Sequence, residues 1–254
     1  MTQAGLSDLR AAVGSGKAFG CFAARDRGCV EAIIAAAQET GLPAALCIGY
    51  TPDVDFQTLS STCCTAADKT AMPVAVHLNH GRALGEVLAA LDAGCTSVMF
   101  DGSALDLESN IARTRECVQA AHAHGVEIEG EIGPLGVFSL DEARDFVART
   151  GVDWLAVSVP AHWPFHAGII EALAGLGAGL VLHGASKLTP DQRTAAIRVG
   201  VAKINAHSEL DRALAEGVRQ TPSQAAESSP NGLDPMYDAV RRTVSELMRS
   251  YALR

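Results

Sequence analysis

The chain has no CxxC pair and no regular ladder of cysteines, although cysteine itself is not scarce. The seven present (Cys21, Cys29, Cys47, Cys63, Cys64, Cys95 and Cys117) fit neither a zinc-finger spacing nor a disulfide scaffold, so reduced and mostly buried thiols are expected. No charged-then-apolar leader opens the sequence, and no run reaches the roughly 18 apolar residues that a membrane span needs. The expectation is a cytoplasmic protein with no membrane partner. A basic stripe with interleaved aromatics is also missing, and the formal net charge is -9, which argues against a nucleic-acid partner. No GxGxxG follows the first strand candidate, so a dinucleotide-binding sheet loses its main support.

What is present is a repeated apolar unit. The 254 residues are 48% hydrophobic and 19% charged, enough for one large core, and the range 1–254 reads as a single barrel domain. Strand candidates fall at Ala18–Ala23, Ala44–Gly49, Val74–Asn79, Ser97–Asp101, Glu127–Ile132, Trp154–Val159, Gly179–His183 and Ala202–Ala206. Most are solidly apolar, as parallel strands covered on both faces should be. Helical patterns fill the gaps. Leu84, Val87, Leu88 and Leu91 lie at i, i+3, i+4, i+7 and share one face. Ser139–Glu142 and Thr189–Gln192 read as capping boxes. Gly94, Gly125, Gly151 and Gly200 stand where helices end before strands. Eight such units predict an α/β fold of the (β/α)8, or TIM-barrel, type. Beyond them, Thr221–Pro235 reads as a loop. A last helix follows, with Tyr237, Val240, Val244, Leu247, Met248 and Tyr251 as its apolar stripe; it must pack on the barrel or on a second subunit.

In such barrels function collects where the strands end. The third strand ends in His77-Leu78-Asn79-His80-Gly81, the sixth runs on to His162, and the seventh ends at His183. Imidazoles converging from three strands suit a tetrahedral zinc ion with one open position. His80, His162 and His183 are the candidate ligands. His77 is expected to lie behind the metal rather than on it.

These residues and their neighbours resemble the class II ketose-bisphosphate aldolases. His77–Gly81 is similar to the family's HxDHG, Ala93–Ser103 to AGFTSVMIDGS, Val181–Ser186 to VLHGxS, Gly200–Asn205 to GVAKIN, and Ser208-Glu209-Leu210 to its TEL continuation. The likeness runs from about Phe19 onward. It implies zinc on His80, His162 and His183, which would polarise the carbonyl and hydroxyl of a dihydroxyacetone-phosphate unit and stabilise its enediolate. Asp101 and Glu131 match acidic residues near the family's metal, as orienting groups or alternative ligands; core ion pairs are the plain alternative. Gly184, Ser186 and Ser208 match phosphate-binding positions, where helix capping would be compatible. Lys187 adds charge there, and Asn205 matches an asparagine that contacts the ketose. The resemblance thus implies a small, phosphorylated substrate. A homodimer or homotetramer is the expected assembly.

Departures from the family fall on the chemistry. Asn79 stands where the family has the aspartate that exchanges a proton with substrate, and an amide cannot do so at neutral pH. The family's longer acidic loop after the fifth strand is nearly absent between Gly136 and Ser139. Trp163 replaces a glycine, and Ala23 and Gly49 replace polar side chains. Acid–base work is therefore expected to have moved to His207 or His166, since imidazole titrates near the operating pH. The reading is a zinc-dependent lyase of aldolase type. Its rivals are a metal-dependent isomerase or addition enzyme on the same barrel, and a non-catalytic, metal-stabilised ligand-binding barrel.

Overall fold

Runs such as Ala44-Ala45-Leu46-Cys47-Ile48 bury every residue, which suits a strand covered on both faces. The computed structural model describes residues 4–50, 54–220 and 234–254. In chain order the elements are α1 (Leu6–Val13), β1 (Phe19–Ala23), α2 (Arg27–Thr40), β2 (Ala44–Ile48), α3 (Phe56–Lys69), β3 (Val74–Leu78), α4 (Leu84–Asp92), β4 (Ser97–Asp101), α5 (Leu107–Ala123), β5 (Glu127–Pro134), α6 (Leu140–Thr150), β6 (Trp154–Ser158), α7 (Ala167–Ala174), β7 (Gly179–His183), a 3-10 turn (Ala185–Lys187), α8 (Pro190–Arg198), β8 (Val201–Ala206), α9 (Ser208–Gln220) and α10 (Pro235–Tyr251). The strands pair in parallel, each with the next, and β8 closes on β1. The expected barrel is present, and its strands match the sequence reading to within a residue or two at most ends.

Local chemistry sets the helix boundaries. Ser139 and Glu142 form a reciprocal capping box at the start of α6, and Thr189 and Gln192 do the same for α8 with Pro190 at the first position. Gly151 ends α6 in the left-handed region, φ 72°, and returns its N–H to Val147, a conformation that glycine adopts at no steric cost. At the base of the barrel α1 lies against β1, β2 and β3. Its backbone joins the strand starts through Ala4 N–H to Val74 O and Ser7 N–H to Glu127 Oε2.

The last helix resolves its own ambiguity. Val240, Val244, Met248 and Tyr251 are buried, and α10 packs on α9, α2 and β1, so its apolar stripe belongs to the barrel. The expected loop Thr221–Pro235 lies outside the described residues as far as position 233, and Pro235 itself opens α10. No helix among the described residues is long and apolar enough to cross a membrane. The seven cysteines form no disulfide among the described residues, and all but Cys64 are buried.

Candidate active site

Side chains two apart on a strand share a face, and β5 uses this three times. Glu127 meets α1 at the barrel base, Glu129 is wholly buried in the middle, and Glu131 reaches the mouth. A bulge between Glu131 and Gly133 then shifts the register with β6. On β8 the same alternation places Lys203 in the middle, Asn205 at the mouth and His207 just above.

Three candidate donors meet at the mouth. One donor atom each from His80, Glu131 and His183 lies within 4.8 Å of the others. The two imidazole rings sit edge to face with centroids 4.9 Å apart. Each ring is already held by another carboxylate: His80 Nδ1 is 2.8 Å from Asp101 Oδ2, and His183 Nε2 is 2.8 Å from Glu129 Oε1. Such bonds fix an imidazole's tautomer and leave its other nitrogen to bind a metal. Glu131 Oε1 accepts from Ser158 at 2.8 Å, whereas Oε2 is buried with no hydrogen-bond partner, 3.6 Å from His80 Nδ1 and 3.8 Å from His183 Nδ1. An orphaned, buried carboxylate oxygen is costly unless something positive satisfies it. Two imidazoles and a carboxylate are a donor set that zinc accepts, so the residues fit the metal.

His162 stands apart from this group. It is exposed in the turn after β6, and its backbone is left-handed, φ 59°. His80 shares that conformation at φ 51°, and Leu253 is the only other non-glycine residue with positive φ among the described residues. Such strain collects at functional sites.

Below the cluster lies a network that the motif comparison did not single out. Lys203 Nζ donates to Glu129 Oε2 at 2.6 Å and to His77 Nε2 at 3.2 Å, and His77 Nδ1 is 3.0 Å from Ser97 Oγ. Lys203, Glu129 and His77 have no solvent exposure. Burial opposes the charge on Glu129, but Lys203 and the bond to His183 hold its carboxyl well below the usual range. Burial, reinforced by Lys203, pushes His77 well below its ordinary value. His77 thus touches neither candidate histidine and reaches His183 only through Glu129. Two signals in the sequence could have revealed this network: a lysine within an otherwise apolar strand, and glutamates at alternate positions of β5. Asp101, by contrast, sits directly behind His80 and also takes the N–H and hydroxyl of Ser103.

Two cavities open beside the cluster. One, of about 310 Å³, is lined by Gly184, Ser186, Lys187, Asn205, Ser208 and His183 among others, which brings the expected substrate-binding residues together. Gly184 is left-handed at φ 64°, and a Cβ there would lie 3.1 Å from Val159 O. Lys187 Nζ donates to that same carbonyl at 2.6 Å. Asn205 Nδ2 donates to Asn79 Oδ1 at 2.9 Å, while its own Oδ1 is buried without a partner. The second cavity, of about 380 Å³, shares Asn79, His80 and His207 with the first.

His207 lies between the cavities with Nε2 3.3 Å from Cys47 Sγ. The expectation that its ring titrates near the operating pH needs correction. Burial, with His183, Arg25 and His80 nearby, pushes it down to about 3, so the ring is neutral. His166 lies outside both cavities, exposed at the start of α7. Trp163 packs edge to face with Phe165 and His166 and lies beside Gly136. It thereby flanks the short turn between Gly136 and Ser139.

Residues 6–253 match the family model described as fructose-bisphosphate aldolase class-II. The chain belongs to the class II fructose-bisphosphate aldolase family. It is 32% identical to a fructose-bisphosphate aldolase of Thermus caldophilus, the match covering 98% of this chain and 96% of that one. It is also 32% identical to a sulfofructosephosphate aldolase of Alkalicoccus urumqiensis, over 94% of each. Among solved structures, the YdjI aldolase of Escherichia coli K12 superposes with a TM-score of 0.88 at 28% identity, covering 98% of this chain and 97% of that one. Membership makes the protein an aldolase-type lyase. The family is generally zinc-dependent and implies a small phosphorylated sugar as substrate.

Proposed function

We propose that this enzyme is a zinc-dependent aldolase that makes or breaks a C–C bond next to the carbonyl of a phosphorylated ketose or related hydroxycarbonyl compound. The observation that carries the reading is the unpartnered Glu131 Oε2 facing two imidazoles that carboxylates already hold in place. His80, His183 and Glu131 would hold the ion, and His162, in the strained turn after β6, would be the further ligand. Bound there, zinc supplies Lewis-acid stabilisation of an enediolate.

The chain's own residues do the remaining work. Gly184, Ser186, Ser208 and Lys187 receive the donor's phosphate, and Asn205 orients its hydroxyls through the unpartnered Oδ1. Asn79 positions substrate without exchanging protons. His207 carries the proton, with Nε2 turned to Cys47 and Nδ1 left for substrate. Burial is the first cause of the ring's depressed pKa, and an anionic substrate beside it favours the charged form and offsets the part imposed by His183 and Arg25. We propose a homodimer or homotetramer as the assembly.

Metal analysis of the purified protein and of His183→Ala tests the premise; undiminished zinc in the variant would refute it. Coupled assays with fructose and tagatose bisphosphates should show weak turnover, because Asn79 has replaced the carboxylate. A metal-dependent isomerase would interconvert these sugars without releasing a triose.

A further inference from the structure

A third cavity, of about 600 Å³, opens at the base of the barrel, between α1 and the turn that joins α8 to β8. It lies at the opposite end from the metal cluster, since Val201 begins β8 there and Asn205 reaches the mouth. Arg10, Lys17 and Arg198 line it, and none of their side chains makes an ion pair or a hydrogen bond among the described residues. Glu171 is the one carboxylate of the lining, and it pairs with none of them. Other arginines of the surface are taken up: Arg149 by Glu108 and Asp145, Arg241 by Glu39 and Asp238. Arg10 and Arg198 each stand in the last turn of a helix, where a cation suits the free carbonyls. That accounts for one arginine per helix. It does not account for two such ends and a lysine lining one cavity in a chain of net charge -9.

We propose that this basal cavity binds a phosphate monoester of nucleotide size, with the phosphate dianion held by Arg10, Lys17 and Arg198. The turn after α1 adds donors. Gly14 and Gly16 have positive φ, 91° and 70°, and no atom lies within 4 Å of where either Cβ would stand. Glycine there shapes the turn rather than making room for a neighbour. The N–H groups of Ser15, Gly16 and Lys17 and the Ser15 hydroxyl have no hydrogen-bond partner among the described residues. Backbone donors beside cations are a recurrent way of holding phosphate. Ala11, Ile197, Val199 and Ala202 add apolar wall for the body of the ester, and the volume falls in the range of small-molecule pockets. No bond is made or broken here, so the site stands independently of the aldolase reading.

The test titrates AMP into zinc-loaded enzyme by calorimetry, with saturation-transfer NMR of the adenine protons as a second readout. Adenosine and inorganic phosphate are the two halves of the probe, and AMP should bind at least about tenfold tighter than either. Lys17→Ala and Arg198→Ala should each weaken AMP by about tenfold, the worth of one charge-assisted hydrogen bond. Lys17→Arg should keep most of the affinity. Lys187→Ala, at the mouth, should leave it unchanged. Arg198 is exposed and Lys17 half-buried, so the urea midpoints of these variants should match that of the parent, and the Lys17→Arg rescue separates lost charge from lost fold. AMP binding that survives both basal alanine variants, or that Lys187→Ala abolishes, belongs to the mouth and overturns the proposal. Absence of AMP binding by both readouts overturns it too, as does inorganic phosphate or adenosine binding as tightly as AMP.

Discussion

Glu129→Gln should damage both stability and metal binding, by amounts that the geometry sets separately. The side chain is wholly buried, with Lys203 Nζ at 2.6 Å on one oxygen and His183 Nε2 at 2.8 Å on the other. A glutamine keeps the shape but turns one acceptor into a donor facing a donor. It also leaves the Lys203 ammonium without its carboxylate partner, with neutral acceptors alone, among them His77 Nε2 at 3.2 Å. Removing one partner of a buried ion pair costs about 3–5 kcal/mol. With a urea slope of about 3 kcal/mol/M, the chelator-stripped variant should unfold about 1–1.7 M earlier. The second loss is the carboxylate that orients His183, worth about 10–100-fold in zinc affinity, measured by competition with a chromophoric chelator. Glu129→Gln combined with Lys203→Met should recover part of the stability, because the stranded charge is gone, but none of the zinc affinity. A loss below about 1 kcal/mol in the single variant, or a double variant no more stable than the single, would refute the buried-pair account.

Three further outcomes follow. Asn79→Asp restores a proton-exchanging carboxylate at a position whose side-chain oxygen already accepts from Asn205; cleavage of fructose bisphosphate should rise by about 10²-fold, the lower end for general acid–base catalysis. Gly184→Ala forces a left-handed residue and sets a Cβ 3.1 Å from Val159 O. It should cost roughly 1–2 kcal/mol in urea denaturation and raise KM for the phosphorylated donor. Brief iodoacetamide treatment of native protein at pH 8 should modify Cys64 first, because the other six thiols are buried and burial pushes Cys29 up to about 11 and both Cys95 and Cys117 up to about 12; mass spectrometry reads the site directly.

The strands were legible because parallel strands covered on both faces demand unbroken apolar runs, and the capping boxes because they are local in sequence. His80 and His183 were legible as strand-end residues within long motifs. The direction of a turn is not local. Nothing in Pro160-Ala161-His162-Trp163 states how the turn sets the imidazole, and here His162 is exposed in that turn, outside the group formed by His80, Glu131 and His183. The Glu129–Lys203 pair lay in plain view as two charges in apolar strands. Its meaning appeared only when barrel closure brought β5 and β8 to the same axis. His207 was found by position, but its neutrality follows from burial among positive groups, which spacing along the chain cannot report.

The short helix α1 sits far from the reacting centre, yet it floors the interior. Its Ser7 grips Glu127, the lowest of the β5 glutamates, and Leu6 and Leu9 are fully buried. A barrel cut before Phe19 would let solvent rise along the axis toward Lys203 and Glu129. Their attraction owes its strength to a dry surrounding, so wetting would weaken the strut that steadies His183. Trimming the tail should therefore loosen the grip on the ion at the opposite end.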